Sequence, residues 1–248
     1  MQENWEKYKK LVDNKTATIA FNADFIQDAG SYEYMYVGFV KVELKHPRED
    51  GLVSKEELDE ISMVEDRLEM EALRWRVGKY VGMINTNGSV TFVYYLKLDF
   101  EWSNAVSEAM KHFDYSYEYG SREDMQGEVY KKLLYPNLMQ WQIINNHNTC
   151  ALLQSRGDML STARAIEHSS FFTADEDAKT FVQKIEQEGF FHMQTDPSSY
   201  DEFAFEVKYF KKDVPDFATM DRVTLRLLEI SQEHNGTYGG WECSVVTA

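Results

Sequence analysis

Two cysteines and four prolines among 248 residues leave this chain little to staple or stiffen it. Cys150 and Cys243 fit no metal-ligand spacing, and with no secretory leader in view they are expected to be free thiols. The histidines at 46, 112, 147, 168, 192 and 234 include no pair at the i, i+4 spacing of a zinc helix, so no metal and no cofactor is expected. No Gly-x-Ser-x-Gly elbow, Walker-type loop or dinucleotide fingerprint occurs, which removes the enzyme classes those motifs mark. No apolar run approaches the ~20 residues that cross a bilayer. The start, Met1-Gln2-Glu3-Asn4-Trp5, lacks a basic segment followed by an apolar one. A cytoplasmic protein without membrane contact is therefore expected. Positive charge is also scarce: 26 Lys and Arg stand against 42 Asp and Glu, for a net charge of −16. Such a field repels phosphate backbones, so no direct nucleic-acid binding is expected, and it favours a basic partner or plain solubility.

What is present is a repeated alternation of strand and helix. Glu6 to Val12 reads as a short helix, Thr16 to Ala23 as a strand, and Tyr34 to Leu44 as a longer strand with Val40, Val42 and Leu44 on one face. Ser54-x-x-Glu57 has the form of a capping box. It precedes a helical stripe of Leu58, Ile61, Val64 (or Glu65), Leu68, Ala72 and Trp75. Val77 to Ile84 and Ser89 to Leu98 flank Asn87-Gly88, the pair suited to a type I′ hairpin turn. A helix striped by Trp102, Ala105, Val106, Ala109 and Met110 follows. Tyr115 to Tyr119 is a last strand, and Glu128 to Leu134 a terminal helix stopped by Pro136. From Tyr34 onward the order is β-α-β-β-α-β, the ferredoxin-like arrangement.

The polar stretch Asn145-Asn146-His147-Asn148-Thr149 has no periodicity and reads as a linker. Domains of 1–147 and 148–248 are expected. In the second, Ala163 to Phe172 is a strand and Thr173-x-x-Glu176 another capping box. Ala178, Phe181, Val182 and Ile185 form a buried stripe that Gly189 ends in a left-handed cap. Phe190 to Gln194 and Glu202 to Phe210 are strands, Met220, Val223, Leu227 and Ile230 line a second helix, and Tyr238 to Val246 is the last strand. The fold class is thus α+β, with two tandem ferredoxin-like (βαββαβ) sandwiches built on antiparallel sheets.

Several residue patterns invite a functional reading. The run Phe203-Ala204-Phe205-Glu206-Val207-Lys208-Tyr209 falls where RNA-recognition modules carry stacking aromatics. Glu206 and Lys208 cannot line a core unpaired, however, so the aromatic positions must be the inward face. Glu65, Asp66, Glu69 and Glu71 form a carboxylate-rich helical face that reads as solvated surface. His168 and His192 lie on strands that one sheet can bring together, and with Glu167 they offer a metal or acid/base group.

The segments Ala165-Ile166-Glu167-His168, Thr173-Ala174-Asp175-Glu176, Glu188-Gly189-Phe190 and Tyr238-Gly239-Gly240-Trp241 resemble those of the RraB family, regulators of ribonuclease E activity. Gly239 stands where that family has Asp, and Ser169 replaces a second histidine. The first half is similar to a bacterial domain family of unknown function often fused ahead of an RraB-like domain. It shows Trp5 with Tyr8, Asp50-Gly51-Leu52, Tyr80-Val81-Gly82 before Asn87-Gly88, and Leu134-Tyr135-Pro136.

The resemblance implies a non-enzymatic regulator that binds a protein partner, expected to be basic because opposite charge speeds encounter. Glu167, His168, Tyr238 and Trp241 are the expected partner-binding residues. The alternative is a small-molecule-binding or enzymatic domain using a cleft between the two sandwiches. Gly239 and Gly240 are expected to bend or bulge the last strand. Trp241 then either anchors the core through its indole N–H or forms the rim of the partner site.

Overall fold

A computed structural model describes residues 3–12 and 14–247. The chain divides into two compact units, Met1–Asn137 and Leu138–Ala248.

The first unit opens with a hairpin of β1 (Trp5–Val12) and β2 (Lys15–Asn22). The helix expected over Glu6 to Val12 is therefore a strand. Alternation explains it: Tyr8 turns inward while Trp5, Lys7, Lys9 and Leu11 face solvent, and Asn14 takes the positive φ that reverses the chain. Next come β3 (Tyr36–Glu43), α1 (Leu58–Trp75), β4 (Gly78–Thr86), β5 (Ser89–Leu96), α2 (Trp102–Met110) and β6 (Tyr117–Glu123). A π-helical turn follows at Tyr130–Leu134. The sheet order is β1-β2-β4-β5-β3-β6, every pairing antiparallel. The βαββαβ motif thus runs fourth, first, third, second strand, and the β1–β2 hairpin extends its β4 edge. Asn87 and Gly88 both take positive φ at the β4–β5 turn, as their sequence requires.

Helices α1 and α2 cover one face of this sheet over Val40, Val64, Leu68, Phe92 and Val106. The other face has a tyrosine-rich core. Phe25 packs against Tyr95 and Tyr130, and Tyr95 donates to Asp124 Oδ2 at 2.5 Å. Asp124 also accepts from the backbone N–H groups of Glu128 and Val129, so its buried carboxylate is hydrogen-bonded at both oxygens. The capping box at Ser54 does not form. Glu57 instead accepts from the Lys45 and His46 backbone N–H groups at 2.7 and 3.0 Å, and Ser54 Oγ is left buried without a partner. The acidic face of α1 is not uniformly solvated either. Glu71 is fully buried, 3.1 Å from Arg67 and 3.3 Å from Arg74.

The second unit begins with α3 (Leu138–Ser155), which corrects the linker reading of Asn145 to Thr149. It continues with β7 (Arg164–Phe172), α4 (Asp175–Gln187), β8 (Phe191–Pro197), β9 (Phe205–Asp213), α5 (Phe217–Glu233) and β10 (Gly236–Glu242). Its antiparallel sheet runs β10-β7-β9-β8, again fourth, first, third, second. Phe172, Phe181, Ile185, Val207, Tyr209 and Leu227 form the core beneath α4 and α5. Val207 and Tyr209 point inward and Glu206 and Lys208 outward, so the aromatic run is a core strand. Gly189 ends α4 at positive φ as expected. Thr173 does not cap this helix. Ala174 occupies the N-cap without a side-chain bond, and Asp175, Glu176 and Asp177 complement the helix dipole in the first turn.

Candidate functional site

The glycine pair in β10 organises the second unit's site. β10 is an edge strand, and its register with β7 slips between Tyr238 and Gly240, leaving Gly239 as a bulge. A Cβ at Gly239 would lie 2.2 Å from Phe171 Cε2, so only glycine fits there without displacing that ring. The bulge resets the side-chain alternation. Tyr238 faces Ser170 and Trp241 faces His168 on the helix-covered side, while Glu242 faces Glu167 on the open side.

Two of the four expected partner-binding residues consequently lie inside. His168 is 3% exposed and Tyr238 7%. The Tyr238 hydroxyl lies 2.8 Å from His168 Nδ1, Tyr209 stacks on the imidazole, and Phe190 meets it edge-on. Burial, with a smaller contribution from the Lys211 charge, pushes His168 down to about 3, so the ring is neutral at physiological pH. Both side chains support the strand from beneath, and of the two only His168 also borders the adjacent cleft.

Trp241 is half-buried, packed beside Cys150, Ile166 and Met220. Its indole N–H donates to Asn146 Oδ1 at 2.9 Å. Asn146 is a fully buried hub: Oδ1 also accepts from Gln142 at 2.9 Å, while Nδ2 donates to Asp221 and Thr224 of α5 at 2.9 and 2.8 Å. Hydrophobic period could not find this helix, because its inward row reads Gln142, Asn146, Cys150, Leu153 and is half polar. The available signal was the i, i+4, i+8, i+11 spacing of those four residues, which keeps them on one helix face.

Glu167 and Glu242 are exposed and directly opposed across β7 and β10. Neither has an ion-pair partner among the described residues, and Lys208 on β9 lies 3.6 Å from Glu206 instead. Like charges placed opposite each other are unfavourable unless a cation joins them. They line a cleft of about 570 Å³ that passes over Gly239 and Gly240 and is walled on one side by Gln142 and Asn145 of α3. His192 does not contribute. Its Nε2 lies 3.0 Å from Thr195 Oγ1, Tyr209 separates it from His168, and Glu167 points to the opposite face. That trio is therefore not assembled for acid/base work. Among the described residues no cluster of His, Cys, Asp and Glu is arranged to hold a metal, and no helix is long and apolar enough to cross a membrane.

Comparison with known families divides the chain as the topology does. Residues 3–135 match the model of a family of unknown function, DUF695. The chain belongs to the DUF695 family. Residues 143–243 of this DUF695 protein match a second family, described as regulator of ribonuclease activity B (RraB). The two resemblances read from the sequence are thereby established. The DUF695 match ends and the RraB match begins on either side of the Asn137–Leu138 division. No curated protein matches the chain. Among solved structures, that of an unknown protein from Galdieria sulphuraria is similar at 10% identity and a TM-score of 0.24, over 84% of this chain and 97% of that one. At that score it supports no structural argument.

Proposed function

We propose that this protein is a non-enzymatic regulator whose RraB-like unit docks on a basic segment of a ribonuclease or another RNA-processing protein. The observation that carries the reading is the opposed pair Glu167 and Glu242 in the cleft of a unit that matches a ribonuclease-regulator family. An arginine or lysine from a partner satisfies both carboxylates at once, and an exposed charge-assisted contact of this kind favours fast encounter. Trp241 forms the rim, its ring held by Asn146 so that little side-chain freedom is lost on binding. His168 and Tyr238 act only by holding the strand.

Pull-down from the host at low and moderate salt tests the reading. A protein partner recovered at low salt and weakened at moderate salt supports it. Recovery of no protein in either condition contradicts it.

A further inference from the structure

Three helices in the chain end in the same backbone motif. After α3, Asp158 N–H reaches Leu153 O and Gly157 N–H reaches Gln154 O; after α4, Phe190 reaches Ile185 and Gly189 reaches Glu186. After α1, Val77 reaches Ala72 at 3.1 Å and Arg76 reaches Leu73 at 3.1 Å. Each is a six-to-one bond over a five-to-two bond, with the central residue left-handed. Glycine takes that place twice, at φ +89 and +84, but at α1 it is arginine, at φ 54. A side chain there is disfavoured by contact between its Cβ and the backbone, and such outliers cluster where function holds them. The helix dipole does not account for the choice. Arg74 already supplies a cation in the last turn, and any exposed position nearby would serve equally.

Arg76 lines a cavity of about 550 Å³ together with Lys79, Lys97, Tyr34, Glu3 and Glu69. In a chain of net charge −16, this lining of three cations and two carboxylates carries a formal excess of one positive charge. Lys79 is paired with Glu3 at 3.2 Å and Lys97 with Glu33, whereas Arg76 has no ion-pair partner among the described residues. Glu69 lines the same cavity, and burial and then the Glu3 and Asp66 charges raise its affinity for a proton. Lys97 Nζ lies 5.5 Å from the Tyr34 ring centroid, so cationic and aromatic surface meet in the same space. A cavity of this volume with a few convergent polar groups suits a small metabolite.

The geometry points to a ligand site in the DUF695 unit for a small molecule bearing one oxyanion, a phosphate monoester or a carboxylate, with the Arg76 guanidinium as its principal contact. The guanidinium fork matches either group in two-point fashion. This site is independent of the partner contact proposed for the RraB-like unit.

Titration of the full-length protein with phenyl phosphate and with benzoate by calorimetry tests it. At least one of the two is expected to saturate by about 10 mM. Arg76→Gly is expected to weaken that binding about tenfold or more, while its melting temperature equals or exceeds that of the wild type, since glycine is at ease in this conformation. Lys97→Met, at a half-exposed position, should weaken binding in the same direction. Saturation by neither probe overturns the proposal, as does wild-type affinity in Arg76→Gly. A melting temperature well below the wild type in Arg76→Gly also overturns it, because the arginine would then serve the fold. Failure of that variant to fold counts the same way, and unchanged affinity in Lys97→Met overturns the proposal independently.

Discussion

Replacing Asn146 with alanine should be among the most damaging single changes in the second unit, although the residue is neither apolar nor charged. The amide makes four side-chain bonds, to Gln142, Trp241, Asp221 and Thr224. At a net value of ~1 kcal/mol each, their loss sums to about 4 kcal/mol. Not all of it is realised. Thr224 Oγ1 keeps its bond to Met220 O, and Asp221 and Trp241 are exposed enough to recruit water. Gln142 recovers less, being buried beside the vacated space. The expected loss is about 2–3 kcal/mol, which for a unit of this size lowers the melting temperature by about 10–15 °C. Urea denaturation followed by tryptophan fluorescence measures it, because Trp241 reports the hub directly. A loss below about 0.5 kcal/mol, typical of an ordinary surface substitution, would refute the account of Asn146 as the link between α3, α5 and β10.

Two further outcomes follow from the paired strands β7 and β10. His168 binds its proton far more weakly folded than unfolded, so stability should be level above about pH 7 and fall as pH drops through 6.5 toward 3. This residue should account for about 2–3 kcal/mol of the loss by pH 4.5; a His168→Gln variant with the same pH slope as the wild type would contradict this. Gly239→Ala should cost about 1–3 kcal/mol through collision with Phe171, read as a lower urea midpoint, and a wild-type midpoint would show that the bulge tolerates a side chain.

Much of this architecture is legible from residues alone, for reasons that differ by element. Asn87-Gly88 has one good use between two alternating apolar runs, and it takes it. The stripes of α1, α4 and α5 follow helical spacing because each packs one face on a sheet. Pattern fails where polar groups do the packing. The inward row of α3 begins with Gln142 and Asn146, so a buried helix looks like a linker. It fails again in β1, where Lys7, Lys9 and Lys10 suit a helix but the pairing with β2 decides the conformation. Both expected capping boxes lose to tertiary partners or to charge: Glu57 turns to the Lys45 and His46 backbone, and α4 relies on its first-turn acids. The site was half legible. The motif Tyr238-Gly239-Gly240-Trp241 marks the right strand, but only the bulge register reveals that His168 and Tyr238 point inward and that Glu242 faces Glu167.

The most direct test of the partner site compares the wild type with the double variant Glu167→Gln, Glu242→Gln in quantitative capture from the host at low salt. Removing two opposed carboxylates from an exposed sheet face should leave the melting temperature equal or slightly raised. The account predicts that this intact, correctly folded variant no longer recovers the partner that the wild type recovers. Equal recovery by both proteins would contradict it.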